Sequence, residues 1–421
     1  MSGIEINRAD LGLRANITCP YCWADYPPED VKWISESSEL LGDPKLGEQF
    51  QRRFLPSQFN VAGNAVDANN HDCHKLACPN CHLSIPRSLL QLPPLFISVI
   101  GTPGSGKTYF LTSMVHQLKQ NLPRLFRVSF ADSSPETNLI LNDYIEQQFL
   151  NPNGDKLVKL AKTQEFGDGF GYKQVRIGSN VVQLPQPFLF NVRTVDGHMR
   201  HGSMDSNARV ICLYDNAGES FLPGSDHSES PVTRHMAQAD TLMFVFDPSQ
   251  SHAFRHSLMG KTNDLQVTNA ISTSQQDVTL NEAAYRIKTY KGVHEDQKIK
   301  TPLVVIVNKY DVWKPLLDEP LPPVALRVAD ESSRVFNHRA VKEHSDLVRD
   351  LLFQHSPEFV SVAESVSETV YYVPVSSTGC SPEKDSTGNL SHRPSSLTPI
   401  WTEVPLIMAL THSCQIIPYR K

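Results

Sequence analysis

From residue 94 onward the chain is punctuated by short, almost unbroken apolar runs: Phe96–Ile100, Pro187–Arg193, Arg209–Asp215, Thr241–Asp247, Pro302–Val307 and Thr369–Val375. Runs of this length without strict alternation suit strands buried on both faces of a parallel sheet. Between them, apolar residues fall at helical spacing over Tyr109–Leu122, Pro135–Leu150, Leu280–Tyr290, Val341–Phe353 and Trp401–Ile417. This alternation predicts an α/β fold with a mostly parallel central sheet. In such sheets ligands gather beyond the carboxyl ends of the strands. Four of the runs end there in polar clusters. The first leads into Gly101-Thr102-Pro103-Gly104-Ser105-Gly106-Lys107-Thr108, the third into Asp215-Asn216-Ala217-Gly218-Glu219, the fifth into Asn308-Lys309-Tyr310-Asp311 and the last into Ser376-Ser377-Thr378-Gly379.

Residues 1–93 lack this rhythm. They hold one helix-like pattern, Pro28–Leu41, and a polar stretch, Asn60–His74, between two C-x-x-C pairs: Cys19/Cys22 and Cys78/Cys81. Two such pairs can supply four thiolates to one tetrahedral Zn²⁺. About 55 residues separate them, against ~15–20 in the common spacing, so the intervening chain is expected to be an insertion. The other reading is four reduced, partly buried thiols. Cys73, His71, His74 and His82 lie nearby and are read as bystanders. Four sulfur ligands leave no open position, so the metal would hold the fold and do no chemistry. The proline-bearing stretch Ser84–Leu95 reads as a stiff join. Two units follow: a zinc-ribbon-like module over 1–93 and a larger α/β domain over 94–421.

Composition narrows the classes. The chain has 421 residues, 40% of them hydrophobic, and a net charge of −6. An acidic balance disfavours nucleic acid as a general partner. No apolar run approaches the ~20 residues of a membrane-spanning helix, and the first residues carry neither a leader pattern nor a Gly at position 2. The expectation is a cytoplasmic protein whose eight cysteines are thiols or metal ligands. Most histidines, His198, His201, His227 and His235 among them, read as surface or loop residues.

The Gly101–Thr108 stretch fits G-x-x-x-x-G-K-S/T between an apolar run and a helical one, which is the context a phosphate-binding loop requires. Its glycines let backbone N–H groups converge on phosphate oxygens, and the following helix N-terminus adds positive potential. Lys107 supplies a full charge to the β- and γ-phosphates, and Thr108 a hydroxyl to Mg²⁺.

Taken in order, the four clusters resemble those of the Ras-like, translation-factor-related class of P-loop GTPases, across residues 94–421. With the cysteine pairs, the whole is similar to bacterial GTPases of regulatory or conflict-related gene neighbourhoods. The resemblance implies a GTPase with Mg²⁺, GTP and GDP, and a protein effector or activator. Asp311 would accept hydrogen bonds from guanine N1–H and N2–H₂. Asn308 would brace the loops, and the Lys309 stem would lie along the base. The Ser377 N–H would meet guanine O6, with Ser376 supporting Asp311. Asp215 would hold Mg²⁺ through water, and the Gly218 N–H would sense the γ-phosphate. Glu219 stands where many relatives carry a water-orienting Gln, which implies slow or partner-stimulated hydrolysis. Thr163 is the candidate for the remaining Mg²⁺ and γ-phosphate contact, within a first switch region enlarged to roughly 100 residues between Thr108 and Asp215. Gly167–Gly171 reads as a flexible loop, and Ser381–Ser396 as another.

Overall fold

The structure is a computed structural model that describes residues 12–160, 172–199, 207–215, 234–268, 274–317, 319–328 and 333–420. At its centre lie β1 (Pro94–Ile100), β2 (Val128–Asp132), β3 (Phe188–Thr194), β4 (Arg209–Asp215), β5 (Thr241–Phe246), β6 (Leu303–Val307) and β7 (Val370–Pro374). They form one seven-stranded sheet in the order β2-β3-β4-β1-β5-β6-β7. β4, β1, β5, β6 and β7 are parallel, whereas β3 pairs antiparallel with both β4 and β2. All six apolar runs are strands of this sheet. β2 is the strand that the apolar pattern does not announce: it is short, lies at the edge and alternates buried with less buried positions.

The longer helices flank the sheet: α1 (Lys107–Asn121), α2 (Pro135–Phe149), α3 (Gln276–Lys291), α4 (His338–His355), α5 (Pro357–Val366) and α6 (Val404–Ser413). Successive side chains on a strand point to opposite faces, so each strand feeds two cores. On one face, Ile97, Val99, Leu213, Val245 and Ile306 pack with Phe110, Met114 and Leu118 of α1 and with Leu406 and Leu410 of α6. On the other, Leu242, Phe244, Phe246 and Val305 meet Leu280 and Ile287 of α3, Leu352 of α4 and Phe359 of α5. Towards β3 and β4 this second face has a different cover. Phe96, Leu189, Val210, Cys212 and Tyr214 pack there against Tyr21, Leu76, Leu83, Leu89 and Leu92 of the N-terminal region. That region takes the place of a helix layer over one end of the sheet.

Several expectations are corrected. Pro28–Leu41 is not helical. After a three-residue 3-10 turn, Pro28–Asp30, the chain forms strands Lys32–Ile34 and Leu41–Asp43. The tandem Pro27-Pro28 and the β-favouring Val31, Trp33 and Ile34 explain this, and Lys32–Ile34 pairs with Leu76–Ala77 and Arg53–Phe54. Within Ser381–Ser396, Glu383–Lys384 pairs with Leu390–Ser391, and the Asp385 carboxylate accepts from the N–H groups of Thr387 and Asn389. His198 and His235 are buried, not superficial; His198 Nε2 lies 3.0 Å from the Ile416 carbonyl. His201, His227 and Gly167–Gly171 lie outside the described residues. Among the described residues no helix is long and apolar enough to cross a membrane.

Candidate nucleotide and metal sites

The clusters that follow β6 and β7 meet the Gly101–Thr108 loop. β1 ends at Ile100 and α1 begins at Lys107, so the loop spans the crossover between them. Gly104 and Gly106 take φ values of +73° and +90°. A Cβ on Gly106 would stand 2.6 Å from Asn308 Nδ2. Only glycine meets both the backbone sign and the close approach. Lys107 Nζ lies over the loop, donating to the carbonyls of Gly101 and Thr102 at 2.9 Å each.

Asn308, at the end of β6, connects three of these segments. Its Nδ2 donates to the Ser105 carbonyl (3.1 Å) and its Oδ1 accepts from Ser377 Oγ (3.0 Å). Ser376 Oγ donates to the Asp311 carboxylate and accepts from the Gly379 N–H at 2.8 Å. Lys309 adopts φ +59° and its Nζ pairs with Asp247 Oδ2 at 2.6 Å and Ser249 Oγ at 2.8 Å. Burial raises the Asp311 carboxyl above the ordinary aspartate value, against the lowering effect of the Ser376 hydrogen bond. A cavity of about 130 Å³ opens beside these groups, lined by Gly106, Tyr109, Asn308, Lys309, Asp311 and Ser377 among others. Its lining mixes the ring of Tyr109 and the side chains of Val312 and Pro382 with the Asp311 carboxylate and the polar side chains of Asn308, Lys309 and Ser377.

Asp215 closes β4, its backbone in register with Val99 of β1, and its side chain lines a separate cavity of about 400 Å³ with Tyr21, Tyr144 and Phe188. Thr108 lies in the first turn of α1. These are hard oxygen donors of the type Mg²⁺ prefers. Thr163, Gly218 and Glu219 lie outside the described residues.

Other residues at this site carry no motif. Asp247 and Gln250 follow β5: Asp247 receives Lys309, while Gln250 Oε1 accepts from Thr102 Oγ1 (2.8 Å) and its Nε2 donates to the Pro103 carbonyl (3.2 Å). Asp264, Cys380 and His392 line the cavity from segments far apart in sequence. Burial lowers the His392 pKa to about 4 and raises that of Cys380 to about 11, so both are neutral near pH 7. The polar end Asp247-Pro248-Ser249 of the fourth run was the available signal for Asp247; the others have none.

The second site is built from two similar turns. Strands Ile17–Thr18 and Asp25–Tyr26 flank Cys19 and Cys22, and strands Leu76–Ala77 and Ser84–Ile85 flank Cys78 and Cys81. In each turn the residue after the second cysteine has positive φ, Trp23 at +55° and His82 at +62°. Its N–H donates to the carbonyl of the first cysteine. Backbone N–H groups of Tyr21 and Asn80 point at the sulfurs of Cys19 and Cys78, at 3.4 and 3.3 Å. The four Sγ atoms lie within 4.8 Å of one another, and Cys19–Cys81 and Cys22–Cys78 are each 3.7 Å apart. A tetrahedron with ~2.3 Å metal–sulfur bonds has edges of about 3.8 Å, so this cluster can hold a metal ion. Hydrogen bonds from neighbouring thiols pull Cys22 down strongly, while burial pushes Cys19 up. The bystanders stay apart: Cys73 Sγ faces the His71 carbonyl, and His82 Nδ1 lies 2.8 Å from Asp43 Oδ2.

No family model matches the chain. Among curated proteins it is similar to the putative ESX-1 scaffolding and assembly protein SaeC of Mycolicibacterium smegmatis, 22% identical over 247 residues. The match covers 57% of this chain and 52% of that protein, so the chain spans about half the length of the relative it matches. Solved structures similar to it include the signal recognition particle receptor SRb-GTP/SRX complex from Chaetomium thermophilum, 14% identical with a TM-score of 0.27, covering 69% of this chain and 93% of that one. Another is sup35 complexed with GDP, 12% identical with a TM-score of 0.22, covering 70% and 41% respectively. These neighbours are GTP-binding proteins, but overlap this slight carries no argument. The functional reading rests on strand order and side-chain geometry.

Proposed function

We propose that this chain binds GTP and GDP with Mg²⁺ and hydrolyses GTP slowly, as a switch acting on a protein partner. The observation that carries the reading is Asn308 joining Ser105 of the phosphate loop to Ser377, with Asp311 held by Ser376 in the adjacent cavity. In this reading the Gly101–Thr108 backbone and Lys107 cradle the phosphates. The Asp311 carboxylate accepts from guanine N1–H and N2–H₂, a donor pair that adenine lacks. Lys309, pinned by Asp247, flanks the base, and the Ser377 N–H meets O6. Thr108, Asp215 and Thr163 would hold Mg²⁺. When bound, that ion neutralises charge on the β- and γ-phosphate oxygens. Gly218 would contact the γ-phosphate and Glu219 the attacking water. Cys19, Cys22, Cys78 and Cys81 would hold a structural Zn²⁺.

A second reading, a nucleotide-regulated scaffold with little hydrolysis, is favoured by Glu219 in place of Gln and by the similarity to a protein named for scaffolding. An ATPase on the same loop is the third. One experiment sorts them: affinity for GTP and ATP with phosphate release from each, for the wild type and Lys107→Ala. GTP should bind at least ~10²-fold more tightly than ATP, and Lys107→Ala should lose the triphosphate. Equal or tighter ATP binding rejects the guanine reading. Tight GTP binding without turnover selects the scaffold.

A further inference from the structure

We propose that the four-cysteine cluster is a positioning element for the Asp215 end of β4, acting through Trp23 and Tyr214, so that metal affinity and nucleotide state are coupled. The inference rests on the guanine-nucleotide reading and assigns the cluster a role beyond holding the fold. Tyr214 is the residue before Asp215, and on a strand the two side chains point to opposite faces. The Tyr214 hydroxyl donates to the carbonyl of Pro20, inside the Cys19–Cys22 turn, at 2.6 Å. It accepts from Trp23 Nε1 at 3.2 Å. The other end of the 216–233 stretch meets the same turn. His235, fully buried at the start of helix His235–Gln238, stacks on Trp23 (ring centroids 6.5 Å, 19° between planes) and lies 4.6 Å from the Tyr214 ring.

The sequence between these anchors carries Gly218 and Glu219, the residues assigned to the γ-phosphate and to water. One metal-ligand turn therefore touches both ends of that stretch. A shift of either end with nucleotide state must break the Tyr214–Pro20 bond or the Trp23–His235 stack, or drag the turn with it. The turn is fixed internally: its Tyr21 N–H is aimed at Cys19 Sγ and its Trp23 N–H at the Cys19 carbonyl. Dragging it therefore displaces sulfurs whose separation suits the metal. Coupling of this kind is reciprocal: if nucleotide state changes metal affinity, metal changes the preference between GTP and GDP by the same factor.

The test uses the full chain loaded with Zn²⁺. Zinc affinity is measured by equilibrium competition with a chromophoric chelator, with saturating GDP and then with a non-hydrolysable GTP analogue; both nucleotide affinities are measured on the same sample. The two zinc affinities should differ by about fivefold or more, the lower range of measured couplings. In Tyr214→Phe, which keeps the ring and removes the hydroxyl that meets Pro20, the difference should shrink while zinc stoichiometry and nucleotide binding persist. The second variant combines Tyr214→Phe with Trp23→Leu, which also removes the ring stacked on His235, and there the difference should vanish. A merely structural contact would lower thermal stability in these variants without any nucleotide dependence of zinc affinity to lose. Equal zinc affinities in both states of the wild type overturn the proposal, as does a difference undiminished in Tyr214→Phe, one that survives in the double variant, or a chain that holds no zinc. A wild type that binds neither nucleotide rejects the guanine reading itself.

Discussion

Ionised Asp311 is the form that can accept two hydrogen bonds from guanine. Burial favours its neutral form in the unliganded protein, raising its pKa above 3.8, with Ser376 opposing. A carboxyl with a raised folded-state pKa favours folding below the unfolded value and loses that contribution as pH rises through the folded one. For ligand binding the sign is opposite. Guanine donors compete with the proton, so GTP affinity should fall as pH drops, beginning above the range of an exposed aspartate. Asp311→Asn should remove this dependence, weaken GTP by ~10²-fold or more and shift preference towards xanthine nucleotides. Calorimetric titration from about pH 5 to about pH 8, where histidine is the other common titrating side chain, checks it, and unchanged guanine preference rejects the assignment. Asn308, Asp311, Ser376 and Ser377 were named beforehand through the resemblance of their strand-end clusters to known motifs, and the structure brings their side chains together. Asp264 and His392 were not. They reach the cavity through tertiary contacts, and nothing in their neighbours marks them.

At the scale of elements, strands were easier to read than the N-terminal turns. A strand buried on both faces needs a run of apolar residues, and such runs stand out. The short strands between Pro28 and Phe54 bury only Ile34 and Asp43, and over so few residues apolar spacing does not separate strand from helix. The loop Gly101–Thr108 shows what a motif letter means physically. Gly106 combines φ +90° with an approach of Asn308 that leaves no room for a methyl. Gly106→Ala therefore meets ~1–2 kcal/mol of left-handed strain, and Asn308 must also withdraw from Ser105. Thermal melting should show a Tm drop of a few degrees and no further rise on adding GTP, whereas the wild type is stabilised by ligand. A variant that GTP still stabilises fully would separate this glycine from the phosphate site.

Across the whole molecule, motifs divide the chain near residue 93, yet the side chains on either side of that point share one core. Leu89 and Leu92 lie in it with Phe96 of β1, and Tyr21, Leu83 and Ile85 cover Leu189, Val210, Cys212 and Tyr214. A boundary drawn from sequence follows changes in composition; it cannot register which face of a later sheet an earlier segment will cover. Removing residues 1–93 would uncover at least those five sheet side chains. At ~1.5–3 kcal/mol for each large apolar side chain fully exposed, the loss is of the order of a domain's entire stability, ~5–15 kcal/mol. The fragment 94–421 should therefore fail to give a cooperative melt or a monomer on size exclusion, even with saturating GTP and Mg²⁺. The full chain stripped of metal should sit between the two, its turns loosened and the apolar cover still attached. A fragment 94–421 that melts cooperatively at the temperature of the full chain would make the N-terminal region an appendage. It would also remove the packing through which the cysteine cluster reaches Tyr214, because that hydroxyl meets Pro20 only while the cover stays seated.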